Sequence, residues 1–259
     1  MKISAVILTK NEEKNISRCL QSLDFVDEII ILDDFSTDKT LDIVKNKLKS
    51  RNYKIIKKAL LNDFSQQKNY SLNRATNDWV LFIDADEEID EELKKNIIRI
   101  GDQQSFSAYY IKRRDFFWER ELRFGETRKA RDLGFIRLFK KDSGFWVGKV
   151  HETVAIKDRN KTGRLNGFLN HYPHPSMEDF LKKINFYSTL RAKELFFLKK
   201  KTHLLEIIFF PFGKFLLNYF FYFGFLDGIP GFVYAFLMSF HSFLVRAKLY
   251  QYTYQKKIL

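Results

Sequence analysis

The stretch WVLFIDADEEID, residues 79–90, begins as an apolar run and ends in a cluster of acids. A short run of β-branched and aromatic residues reads as a strand buried on both faces, as in a parallel sheet. Three further runs resemble it: ISAVIL (residues 3–8), EIIIL (28–32) and YKII (53–56). Helical patterns lie between them at roughly 12–23, 38–49 and 65–75. This alternation predicts βαβ units with right-handed crossovers, hence an α/β fold with a mostly parallel sheet. Ligands of such sheets bind outside the carboxyl ends of the strands.

The residues just past each strand therefore carry the chemistry. Strand one runs into TKNEE (9–13), strand two into DDFSTDKT (33–40) and strand four into DADEEID (84–90), so three polar clusters share one sheet edge. Helix capping accounts for Asp38 and Asp90, and acids suit the first helical turn at Glu91 and Glu92. It does not account for Asp33 beside Asp34, or for Asp84 with Asp86, because a cap needs one acceptor and a second acid repels it. An Asp-x-Asp pair turning out of a sheet gains from a divalent cation, and oxygen donors favour Mg²⁺ or Mn²⁺ shared with substrate phosphates. No Gly-rich phosphate loop follows strand one, which argues against an ATPase or a dehydrogenase.

Composition sets the outer bounds. The chain has 259 residues, 45% of them hydrophobic, so one α/β domain with an appendage is expected. Its single cysteine, Cys19, rules out a disulfide scaffold and fits a reducing compartment, and the N-terminal apolar run is too short for a signal peptide. The formal net charge is +13. Residues 1–100 hold 17 Lys/Arg against 18 Asp/Glu, and residues 101–259 hold 28 against 14, so the basic excess lies in the aromatic-rich part. That combination suits an anionic membrane surface and not nucleic acid. The apolar stretches 207–225 and 229–245 approach membrane-spanning length but are interrupted by Pro211, Lys214, Asn218 and His241. Two helices lying in the interface are expected; a spanning or re-entrant hairpin and a protein interface are the alternatives.

The motifs resemble a known family. VILTKNEEKNISRCLQSL (6–23), DEIIILDDFSTDKT (27–40) and NDWVLFIDADEEI (77–89) are similar to the inverting family 2 glycosyltransferases. GFIRLFKKDSGFWVGKVHETV (134–154), LNHYPHPSMEDFLKKINFYSTLRAKE (169–194) and GFLDGIPGFVYAF (224–236) resemble the subgroup that adds sugars to the lipopolysaccharide core of the bacterial cell envelope. The segment 109–131 matches least.

The resemblance implies a GT-A-type domain that binds a nucleotide-sugar, most simply a UDP-sugar, and a lipid-linked glycan acceptor at the cytoplasmic face of the inner membrane. Residues 1–100 would form the nucleotide-sugar half, 101–195 the acceptor and catalytic half, and 196–259 a membrane-associated helical tail. Thr9, Asn11 and Glu12 would touch the nucleoside, and Asp34 the uracil ring. Lys68 would approach the base or the diphosphate, or else lie on a solvated helix face. Asp84 would face the ribose or a metal-bound water, and Asp86 would ligate the metal. His171 is a further metal or diphosphate ligand, or a buried histidine beside Tyr172. Arg137 would steady the diphosphate, or sit on the polar face of a strand. Inversion needs a carboxylate base on the acceptor side. Glu152 is the candidate, with Glu87 and Glu88 as competitors; otherwise Glu152 points to water or pairs with Lys149. From other classes, a nucleotidyltransferase shares the Asp-x-Asp logic but wants a basic loop where TKNEEKN is acidic. A non-catalytic scaffold would not need the polar clusters.

Overall fold

Two strands of isoleucine and valine at the centre set the layers. A computed structural model describes residues 1–59, 63–101, 105–148 and 152–254. Strands β1 (Ile3–Thr9), β2 (Glu28–Asp33), β3 (Tyr53–Lys57) and β4 (Trp79–Asp84) form the expected parallel set, in the order β3-β2-β1-β4. Helices α1 (Ile16–Gln21), α2 (Thr40–Lys47) and α3 (Phe64–Leu72) connect them. Side chains alternate between the sheet faces. Ala5, Ile7, Ile29, Ile31, Leu81 and Ile83 therefore join one core layer, and Val6, Ile30, Val80 and Phe82 join the other.

Beyond β4 the sheet departs from the expectation, being mixed and not mostly parallel. The later elements are β5 (Glu87–Ile89), α4 (Glu91–Ile100), β6 (Ala108–Phe117), β7 (Arg120–Leu122), α5 (Arg128–Asp132), β8 (Phe135–Lys140), β9 (Gly144–Val147), β10 (Thr153–Ile156) and β11 (Thr162–His171). The sheet order continues β4-β8-β6-β11-β5, with β8 antiparallel to β4 and β6, and β5 antiparallel to β11. Parallel neighbours need crossovers of a dozen or more residues, usually helical. Among the described residues between α4 and β11 the one α-helix is the five-residue α5, with three short 3-10 turns. Strands β9 and β10 pair as a separate antiparallel ribbon.

The α4 start sits against β11 because Gly167 has φ +91 and no side chain. A Cβ there would lie 2.2 Å from the Leu93 nitrogen. Asp90 caps α4, accepting from the Leu93 N–H at 2.8 Å. The helix expected from residue 12 begins at Ile16, because residues 12–15 form a turn closed by the Asn15 and Ile16 N–H groups on the Glu12 carbonyl.

The chain divides into two compact units, Met1–Arg114 with Ala130–Tyr172, and Asp115–Lys129 with Pro173–Leu259. The first contains the parallel strands and all the candidate site residues. The second is built on helices α6 (Met177–Phe197), α7 (Leu204–Leu216) and α8 (Gly228–Tyr254). Phe117, Leu122, Phe180, Ile184 and Leu237 form its core. Asp227 accepts from the Arg123 and Phe124 N–H groups at 3.1 and 3.0 Å.

Two stretches of the second unit, Leu204–Phe221 and Gly224–Tyr254, are long and apolar enough to cross a membrane by length and composition. Three of the residues that interrupt them, Pro211, Lys214 and Asn218, have partners within the unit. Ser239 Oγ donates to the Pro211 carbonyl at 2.7 Å, and Lys214 and Asn218 turn onto Glu126 at 2.8 and 3.4 Å. Leu204, Phe209, Phe212, Phe221 and Ile229 are left exposed.

Candidate active site

The loops after β1 and β2 are interlocked because parallel neighbours release their chains at the same edge. The Asp34 N–H donates to the Thr9 carbonyl at 2.9 Å, and Lys10 Nζ pairs with Asp34 Oδ2 at 2.7 Å. Asn11 takes a positive φ of 54°, donates its N–H to Ser36 Oγ at 2.9 Å and accepts from the Thr37 N–H at 2.7 Å. The Glu12 N–H donates to Thr40 Oγ1 at 2.8 Å, and its carboxylate accepts from Asn15 at 2.8 Å. Thr9, Asn11, Glu12 and Asp34 thus lie together, as their sequence positions predict. Thr9 Oγ1 and Asp33 Oδ1 are buried with no hydrogen-bond partner among the described residues, which is costly unless a ligand reaches them.

The acids after β4 are held by cations of the chain itself. Arg137 Nη2 lies 3.0 Å from Asp84 Oδ2 and 3.0 Å from Glu87 Oε1. The other oxygen of Glu87 accepts the Asp84 N–H at 3.0 Å, and Arg113 approaches Glu87 at 3.8 Å. On the far side of Asp84, Lys68 Nζ stands 3.8 Å from Oδ1 and 2.7 Å from Glu152 Oε1, above the Trp146 ring. Burial alone would raise the Asp84 pKa, but Arg137 and then Lys68 outweigh it and hold that carboxyl well below the usual range. Glu87 is fully buried, and desolvation prevails over Arg137 to push its pKa up.

Several expectations change in detail. Lys68 is 2% exposed and not on a solvated helix face. Arg137 is 6% exposed and grips two acids, not the polar face of a strand. Glu152 pairs with Lys68; Lys149 and His151 lie outside the described residues. Arg113 and Arg18 join the site with no motif in the sequence to mark them, and Tyr172 is marked only by its place beside His171. Arg18 stacks on the Tyr172 ring at 3.6 Å, and the Tyr172 hydroxyl meets Glu88 at 3.3 Å. A basic residue in an otherwise apolar strand, such as Arg137 in FIRLF, was the one sequence signal for this grip.

Asp86 points elsewhere. Its Oδ1 lies 3.6 Å from His171 Nε2, and its carbonyl accepts the Tyr172 N–H at 2.9 Å. The register of β5 with β11, His171 opposite Glu87, creates this encounter. Among the described residues no group of three or more His, Cys, Asp or Glu side chains gathers as a closed metal cage. One carboxylate oxygen and one imidazole nitrogen nonetheless fit a divalent ion that takes its other ligands from a diphosphate and water.

The chain is similar to several known proteins. A family model described as Glycosyl transferase family 2 matches residues 4–155. An uncharacterized glycosyltransferase of Rickettsia typhi (strain ATCC VR-144 / Wilmington) is 35% identical over 266 residues, covering 96% of this chain and 86% of the relative. The lipopolysaccharide core biosynthesis glycosyltransferase LpsC of Rhizobium meliloti (strain 1021) is 28% identical, covering 96% and 92%. Among solved structures, S. aureus TarS 1-349 in complex with UDP-GlcNAc matches with TM-score 0.51 at 17% identity, over 98% of this chain and 92% of that one. The mannosyltransferase PcManGT from Pyrobaculum calidifontis in complex with GDP-Man and Mn²⁺ matches with TM-score 0.50 at 12% identity, over 95% and 75%. These likenesses establish a GT-A-like α/β fold with C-terminal helices. Because the family match runs from β1 to β10 and takes in the Asp84-x-Asp86 turn, Lys68, Arg137 and Glu152, the chain belongs to glycosyl transferase family 2.

Proposed function

We propose that the protein is an inverting, metal-dependent glycosyltransferase that moves a sugar from a nucleotide-sugar, with UDP as the expected nucleotide, to a lipopolysaccharide-core or other lipid-linked glycan. The observation that carries the reading is Lys68, whose ammonium stands between Glu152 at 2.7 Å and Asp84 at 3.8 Å and so joins a carboxylate base to the Asp-x-Asp turn. Thr9, Asn11, Glu12 and Asp34 bind the nucleoside, Lys68 the diphosphate and Asp84 the ribose side. Asp86 and His171 hold Mg²⁺ or Mn²⁺, the latter being present with GDP-Man in PcManGT. When bound, the ion supplies Lewis-acid stabilisation of the charge that develops on the leaving diphosphate.

The chemistry of the chain follows from one bond. The Lys68 contact occupies Oε1 of Glu152, leaving Oε2 to receive the acceptor hydroxyl proton. The acceptor oxygen attacks the anomeric carbon opposite the diphosphate, the carbon–oxygen bond to the diphosphate breaks with its electron pair leaving on the nucleotide, and configuration inverts. Residues 1–100 serve the donor, 101–195 the acceptor, and 196–259 rest on the anionic cytoplasmic face of the inner membrane as a peripheral or monotopic tail. Support for that location comes from LpsC, from the two apolar stretches and from the basic excess beyond residue 100.

Screening UDP-, GDP- and ADP-sugars for metal-dependent thermal stabilisation tests the donor class. Asp86→Ala is expected to abolish transfer and the metal-linked part of nucleotide affinity while the fold survives. Titrating UDP with and without Mn²⁺ checks this, and unchanged metal linkage in the variant removes Asp86 from the site.

A further inference from the structure

Phe35 is the central residue of Asp34-Phe35-Ser36, in the loop after β2, and it takes a φ of +54°. A bulky L-residue in that region is strained, and such strain persists where the surroundings enforce it, commonly at ligand clamps. The surroundings here do enforce it. On one side the Asp34 N–H is tied to the Thr9 carbonyl at 2.9 Å and its carboxylate to Lys10 at 2.7 Å. On the other, the Ser36 N–H donates to Asp33 Oδ2 at 3.0 Å, Ser36 Oγ accepts from Asn11, and the Thr37 N–H donates to Asn11 Oδ1. Glycine would adopt this backbone freely. The chain instead places a phenylalanine there and leaves it 55% exposed, so the ring adds little to the core of its own fold.

A strained backbone carrying a solvent-facing aromatic ring, two residues from the buried Asp33 Oδ1 that has no partner among the described residues, gains if a flat apolar surface covers it. We propose that Phe35 is the stacking surface for the nucleobase of the donor. The inference rests on the nucleotide-sugar reading and deepens it. Stacking on an aromatic ring gives affinity without selecting among bases, since every base offers a π face. Asp34, next in the chain, then reads the base edge, so affinity and selectivity come from adjacent residues.

Phe35→Gly separates this role from a structural one, because it relieves the backbone while removing the ring. The full chain is compared as wild type, F35G, F35L and F35W, by thermal melting without nucleotide and by calorimetric titration with UDP and Mn²⁺. Expected are a melting temperature for F35G equal to or above wild type, a Kd for UDP raised about tenfold or more, and a comparable loss in F35L. F35W keeps wild-type affinity within about threefold. Wild-type affinity in F35G or F35L overturns the stacking role, as does a variant defect confined to the KM for the glycan acceptor. Failure of the wild-type chain to bind UDP, GDP or ADP would instead overturn the nucleotide-sugar reading itself, and the stacking role with it.

Discussion

Arg137 offers one nitrogen, Nη2, to Asp84 and Glu87, while its buried Nε and Nη1 have no hydrogen-bond partner among the described residues. A guanidinium so placed is indispensable to both acids, because removing one member of a buried charge network strands the rest. Arg137→Leu is expected to lower stability by about 3–5 kcal/mol, read from urea unfolding. A loss below 1 kcal/mol would mean that solvent already screens the pair. The Asp-x-Asp turn was legible because its residues are neighbours in the chain. Arg137 lies 53 positions from Asp84, and Lys68 lies 84 from Glu152, so no local pattern discloses those bonds. Glu152→Gln is expected to reduce kcat on the order of 10²-fold or more with nucleotide affinity nearly intact, since glutamine keeps an oxygen acceptor for Lys68 but cannot take the proton. If single-turnover rates stay near wild type, the base is Glu87 or Glu88.

The four parallel strands were legible to within a residue, because each is a self-contained apolar run bounded by polar residues. The antiparallel strands were not, since β6 carries Lys112, Arg113 and Arg114 within its length and its neighbours are chosen by topology. Glu28 opens β2 and illustrates how an element end is fastened. It is fully buried and accepts from Ser4 at 2.6 Å, from Thr76 N–H and Oγ1 at 2.9 and 2.8 Å, and from Lys54 at 2.8 Å. Burial alone would raise its pKa, but the bonds from Lys54, Ser4 and Thr76 outweigh that and bring it down to about 2 from 4.5. A folded-state pKa below the unfolded one stabilises the fold above the unfolded value and is lost as pH falls through the folded one. The contribution is therefore complete above pH 4.5 and disappears toward pH 2. Glu28→Gln should cost about 1–3 kcal/mol at pH 7 and flatten the pH dependence of unfolding across that window. An unchanged slope between wild type and variant would show that Glu28 keeps its ordinary pKa.

At the scale of the whole molecule the apolar surface of the helical unit is the feature with an external consequence. Phe209 and Phe221 are 61% and 70% exposed, so replacing them should leave folding untouched. The double variant F209E/F221E is expected to remain in the supernatant when sedimented with phosphatidylglycerol vesicles that pellet the wild type, with the same melting temperature. Equal pelleting would place the membrane contact elsewhere or remove it. The two apolar stretches were legible by composition, but that their unit takes in residues 115–129 was not, because Arg123 meets Asp227 across 104 positions. That separation also has a meaning in time. A ribosome adding about 5–20 residues each second needs roughly 5–20 s to travel from Arg123 to Asp227. During that interval Phe117 and Leu122 have emerged while Leu237 of their shared core has not been made. The nascent chain therefore carries an uncovered aromatic segment for seconds, and holdase chaperones are expected to be captured on stalled chains that end between residues 160 and 220, and released from chains that extend past 250.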